Sequence, residues 1–182
     1  MSDLKAPKCN DPNAILPPDA QLTRPEERKF NRMATTMEQF HTYFRIDFDN
    51  IYEMADGSFN ERGMSLPMYL TQANNFKRHL EGHHNIEETY IFPHLAQRMQ
   101  AFQPNDKHRT SHKGIHDGLD KLSELVRKWR TEPASYSPTE MRACLDSFRD
   151  VLFRHLDEEV VDLGADNMRK YWTLNEMDQF MM

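Results

Sequence analysis

His83-His84-Asn85-Ile86-Glu87-Glu88-Thr89-Tyr90-Ile91-Phe92-Pro93 lies in the middle of a segment whose apolar residues recur at helical spacing. Its His83 and Glu87 are four residues apart. On a helix such residues share a face, about 40° apart around the axis and ~6 Å along it. Two further segments repeat the spacing: His112-Lys113-Gly114-Ile115-His116 and His155-Leu156-Asp157-Glu158-Glu159. Each pair sits on a helical stripe, and His41 lies on a fourth stripe upstream. The pattern is one of helices presenting metal-capable side chains to a shared interior.

The four stripes are readable around these pairs. Thr23-Arg24-Pro25-Glu26 is a capping-box pattern with proline just inside the start. From it Phe30, Met33, Met37, His41, Phe44, Phe48 and Ile51 recur at helical spacing to about Ala55. A second helix is predicted from about Pro67 to Met99, carrying Tyr69, Ala73, Phe76, Leu80, His83, Glu87 and Tyr90 inward, with a kink at Pro93. A third runs from about Asn105 to Trp129 with Ile115, Leu119, Leu122 and Val126 inward. A fourth opens at the capping box Ser137-Pro138-Thr139-Glu140, carries Met141, Leu145, Phe148, Leu152 and His155, and ends near a capping Gly164. Strand-like alternation is not evident. The expected fold is all-α: an up-down-up-down four-helix bundle over residues 23–163. Residues 1–22, with Pro7, Pro12, Pro17 and Pro18, read as an N-terminal arm. Residues 164–182, with Met168, Tyr171, Trp172, Leu174 and Phe180, read as a short helical tail packing on the bundle.

The bulk properties narrow the function classes. The 182 residues carry a formal net charge of -6, which argues against nucleic acid or an anionic membrane as partner. No apolar run approaches the ~18 residues of a membrane span, and the start has no apolar signal region. Two cysteines, Cys9 and Cys144, have no metal-site spacing and suit reduced thiols in a cytoplasmic protein.

Counted from the loops, His41, His83, Glu87, His112, His116, His155 and Glu159 come out at one depth of an antiparallel bundle. Neighbours select among adjacent candidates: Phe76, Leu80 and Tyr90 share the face of His83, whereas Lys77, Glu81 and Glu88 share that of His84. His84 is therefore expected outside the set. His79 and His108 fall about a turn away, and His94 reads as surface. Burying so many polar groups at one level without an ion would be costly, and coordination removes that cost. Imidazole and carboxylate ligands without thiolate fit iron, zinc, copper or manganese, and the ligand number favours two irons. Lys113 occupies the place where a zinc-protease HExxH run needs Glu. The Glu-x-x-His motifs of ferritin-like sites are absent from the ligand pairs.

His83–Pro93 resembles the HxxxEExx(L/I)FP signature of the hemerythrin-like (HHE cation-binding) family. His112–Leu119 is similar to that family's third-helix HxxxH segment, His155–Glu159 to its final HxxxE, and His41 to its first-helix histidine. The resemblance spans roughly residues 30–163. It implies that His112, His116 and His155 bind one iron and His41 and His83 the other. Glu87 and Glu159 would bridge the pair together with a solvent-derived oxo or hydroxo group. It further implies an open position for a small diatomic ligand, O2 first, with nitric oxide or peroxide as alternatives. A dry pocket of Phe44, Phe48, Phe76, Tyr90, Phe148 and Leu152 would surround it. The functions implied are oxygen carrier, store or sensor. A di-iron redox enzyme acting on peroxide or nitric oxide, or an iron- or redox-responsive interaction module, are the alternatives.

Overall fold

A computed structural model describes residues 11–17 and 19–180. Expectations that fall on residues 1–10 and on Pro18, including Pro7 and Cys9, lie outside the described residues. The chain is all-α, with seven helices and no strand among those residues. The helices are α1 (Arg24–Phe30), α2 (Arg32–Met54), α3 (Leu66–Ile86), α4 (Phe92–Leu95), α5 (Lys107–Thr131), α6 (Pro138–Asp162) and α7 (Ala165–Tyr171).

Helix starts follow their capping chemistry. The Thr23 amide donates to the Glu26 carboxylate at 2.7 Å, and Ser137 Oγ accepts from the Glu140 amide at 3.2 Å. Asp106 caps α5 by accepting from the Lys107 amide. Two expected helices are divided. The first breaks at Asn31, whose side-chain oxygen accepts the Ala165 amide at 2.7 Å. The second gives way after α3 to a π-helical turn, Glu87–Ile91, before α4 begins. Pro93 accounts for it: proline has no N–H, and its ring would collide with the carbonyl of Thr89 in a regular α-helix. The wider turn admits an extra residue and rotates the following face. Phe92 and Leu95 are buried as a result, while Tyr90, expected inward, is 73% exposed. Gly164 corrects another expectation: at φ −70° and ψ 159° it is not a left-handed cap but the residue that opens α7.

The chain forms two compact units. One is Phe40–Leu156. Its core joins Phe48, Ile51, Tyr69, Phe76, Leu119, Leu122, Trp129, Met141, Leu145 and Phe148, among others. Contacts within it run in opposite register along neighbouring helices. Tyr69 Oη donates to the Ile51 carbonyl, whereas His83 lies beside His41 and Phe44. Between α3 and α5, Arg130 reaches Thr71 and His116 reaches His84. Helices α5 and α6 approach closely at Gly118, where a Cβ would lie 2.4 Å from ring atoms of Phe148.

The other unit comprises the described residues up to Gln39 and those from Asp157 onward. Here Arg32 donates to the carbonyls of Met177 and Phe180, and Arg169 to those of Pro17 and Ala20 at 2.6 and 2.7 Å. The Asn175 amide donates to the Pro12 carbonyl. No helix among the described residues is long and apolar enough to cross a membrane.

Candidate metal centre

Within Phe40–Leu156, residues of four helices (α2, α3, α5 and α6) and the start of the π turn bring histidines and one carboxylate together. His84, Glu87, His112 and His155 form one group and His41, His83 and Glu87 a second. In each group the potential ligand atoms lie within 4.8 Å of one another. Glu87 belongs to both, and its two oxygens face opposite ways. Oε1 is 2.8 Å from His83 Nε2, and Oε2 is 3.4 Å from His112 Nε2. A carboxylate so placed is disposed to bridge two ions.

The site is dry. His41, Glu87 and His155 are wholly buried, and His84 and His112 are 1% exposed. His83 is the most accessible, with its side chain 11% exposed beside the rings of Phe40 and Phe44. Outer partners fix several rings. A carbonyl only accepts, so His41 Nδ1 donates to the Leu156 carbonyl at 2.8 Å, which makes Nε2 the nitrogen that carries the lone pair. His112 Nδ1 donates likewise to Glu88 Oε1 at 2.8 Å, and Arg109 holds that carboxylate from outside at 3.3 Å. The Nε2 atoms of His112 and His155 meet at 3.1 Å.

Burial, then the neighbouring His83, lowers the His41 pKa to about 4. Burial, then His112, holds His84 and His155 well below the ordinary imidazole value. These rings are neutral at pH 7, as metal ligation requires. Glu87 is the converse: burial pushes its pKa up, but His112, His83 and His84 outweigh burial and hold it well below the usual carboxylate range. His83 Nε2, His84 Nε2 and both Glu87 oxygens are buried and make no hydrogen bond, although His83 Nε2 lies 2.8 Å from Glu87 Oε1. Unsatisfied buried polar atoms are expensive. Four of them converging at ligand distances, with no thiol among them, fit a cation held by nitrogen and carboxylate oxygen.

Of the sequence-derived candidates, His41, His83, Glu87, His112 and His155 are brought together. His116 is in neither group. Its side chain is 37% exposed, with Nδ1 3.9 Å from Glu81 and Nε2 3.4 Å from His84 Nδ1. Glu159, one turn beyond His155 along α6, is completely buried and belongs to the other compact unit. His79 is exposed. His108 is buried, stacked on Phe102 at 4.7 Å and edge-on to His155 at 5.5 Å.

His84 is the residue that reading one face per helix assigned outward. Adjacent residues on a helix are about 100° apart, and α3 is covered from two sides. His83 therefore faces α2, through His41 and Phe44, while His84 faces α5 and stacks on His112 at 3.8 Å. The paired His-His at the depth of the other candidates was the signal for this. Of the expected apolar pocket, Phe44, Phe48, Phe76, Phe148 and Leu152 are buried in the core, and Tyr90 is outside it.

Fold and site together define an all-α protein with buried histidines and a carboxylate able to bind metal. Residues 32–160 match the family described as the hemerythrin HHE cation-binding domain. The chain belongs to that family. It is also similar to the dimeric xanthone biosynthesis cluster protein R11 of Cryptosporiopsis sp. (strain 8999), at 29% identity over 154 residues. The match covers 79% of this chain and 56% of the relative, so the chain spans little more than half of that protein's length. No solved structure matches.

Proposed function

We propose that this chain is a non-haem di-iron protein that reversibly binds O2 or a related diatomic ligand, as carrier, store or sensor. The observation that carries the reading is that Glu87 belongs to two ligand groups of unequal completeness. His84, His112 and His155 complete one, and only His41 and His83 complete the other. Glu159 is proposed as a further carboxylate ligand, on its i+4 spacing from His155 and its complete burial. Iron fits a two-ion site of imidazole and carboxylate without thiolate. When bound, the ion pair supplies redox chemistry and a place for a small ligand at the less complete position.

The chain's own residues do the rest. The Leu156 carbonyl and Glu88 orient His41 and His112. Phe44 and Phe40 border His83, the most accessible imidazole, and give a small apolar ligand its approach. The surrounding burial keeps bulk water from the ligand nitrogens.

A second reading, a di-iron redox enzyme acting on peroxide or nitric oxide, is favoured by the name of the relative, a biosynthesis cluster protein. An oxygen titration of anaerobically iron-loaded protein, read by optical spectrum and iron content, separates the two. Reversible binding predicts two irons per chain and a charge-transfer band that appears with O2 and fades on its removal. Irreversible oxidation with no adduct favours the enzyme. No iron pair at all overturns both.

A further inference from the structure

His83 and His84 are neighbours in sequence but serve opposite sides of α3, and the surroundings of His84 differ from those of an ordinary core histidine. Its ring lies parallel to His112, 3.8 Å away at 12°, and edge-on to His155 at 5.5 Å. Its Nε2 is buried, makes no hydrogen bond, and belongs to a group at ligand distance from Glu87, His112 and His155. Its Nδ1 faces His116 Nε2 at 3.4 Å.

His116 has the opposite character. One nitrogen faces His84 at 3.4 Å and the other Glu81 at 3.9 Å, and His116 belongs to neither ligand group. Over a third of its side chain is exposed, whereas His41, His84, His112 and His155 are at most 1% exposed. Glu81 is in turn held by Lys77 at 2.8 Å. The line His84–His116–Glu81–Lys77 parallels His112–Glu88–Arg109. In both, an inner imidazole is backed by a carboxylate that a cation holds, directly for His112 and through His116 for His84.

Resting on the two-metal reading above, we infer that His84, not His116, is the third imidazole ligand of the fully buried ion. His116 is the positioning residue that accepts a hydrogen bond from His84 Nδ1 and aims Nε2 at the metal. The HxxxH pair of α5 then divides its labour: His112 ligates, and His116 holds a ligand supplied by α3. This assignment keeps three imidazoles on one ion and replaces a half-exposed donor with a buried one.

The test compares iron content and iron affinity in the wild-type chain, His84→Gln, His116→Gln and His116→Ala. Each is loaded anaerobically and titrated with a competing chelator, with helicity checked by circular dichroism. The inference predicts that His84→Gln falls from two irons to one. Both His116 variants keep two, with the iron held by His84 loosened about tenfold in His116→Ala, the scale of losing an outer hydrogen-bond partner. His116→Gln, which retains a hydrogen-bonding amide, recovers most of that loss. A purely structural role for His116 would not give that rescue. Loss of an iron from both His116 variants overturns the inference, whether or not His84→Gln folds. So does retention of both irons by a folded His84→Gln. Wild-type protein that binds no iron overturns the two-metal reading itself, and this assignment with it.

Discussion

The two ends of the unit Phe40–Leu156 bury polar groups in contrasting ways. At the end nearer Ile51 and Trp129 three buried or half-buried aromatic donors each have a carbonyl partner. Tyr69 donates to the Ile51 carbonyl at 2.8 Å, Tyr136 to that of Ala55 at 2.7 Å, and Trp129 to that of Ser135 at 3.0 Å. At the other end Glu87 and the inner nitrogens of His83 and His84 are equally buried and make no hydrogen bond. One end is stabilised by apolar burial with these aromatic donors satisfied. The other carries a standing desolvation cost that a bound cation would relieve. Stability and function are thus segregated along the same helices.

The strongest way to break the contrast is Glu87→Ala. It removes the one carboxylate common to both ligand groups, so metal content should fall from two ions to none, while the helical circular dichroism persists because the apolar end is untouched. Elemental analysis with the spectrum checks it; a variant that keeps a metal pair would mean Glu87 is not shared. Next in size is Phe148→Ala at the apolar end. Phe148 is 1% exposed, and truncating a buried phenylalanine costs about 3–5 kcal/mol. Denaturant unfolding should show that loss with and without metal, and equal stability would place the core elsewhere.

A third experiment sharpens the contrast through pH. His41, His84 and His155 have folded-state pKa values below their unfolded ones, so the unfolded chain binds more protons as pH falls. The metal-free protein should hold its full stability above about pH 6.5 and lose it progressively toward about pH 4, the value for His41. Glu87, with its pKa held down, adds loss in the same direction below the ordinary carboxylate range. Thermal melts across this window test it, and a flat profile would show that these rings are not buried neutral. The smallest effect expected is that of Tyr90→Ala. At 73% exposure the change should stay within about 0.5 kcal/mol and leave metal content unaltered. A large loss would return Tyr90 to the interior.

Much of this architecture was legible in the chain. Apolar residues at helical spacing located the stripes of α2, α3, α5 and α6, because burial of one face is what the period encodes. Phe48, Ile51, Phe76, Leu119, Leu122, Leu145 and Phe148 are all in the core as expected. What was not legible depends on three-dimensional context. The π turn at Glu87–Ile91 shifts the register after Pro93 and turns Tyr90 outward, and no periodic template carries such a shift. His84 was misassigned because α3 is covered by two helices, so its buried stripe is wide enough to hold adjacent residues. His116 shares a helical face with His112, yet one turn of rise carries it to a level where α3 presents Glu81 as its neighbour.

The most direct test of the central claim is anomalous diffraction at the iron edge from crystals of the iron-loaded protein. The account predicts two peaks flanking Glu87, one within bonding distance of His41 and His83 and the other of His84, His112 and His155. A single peak, or peaks away from Glu87, would contradict it.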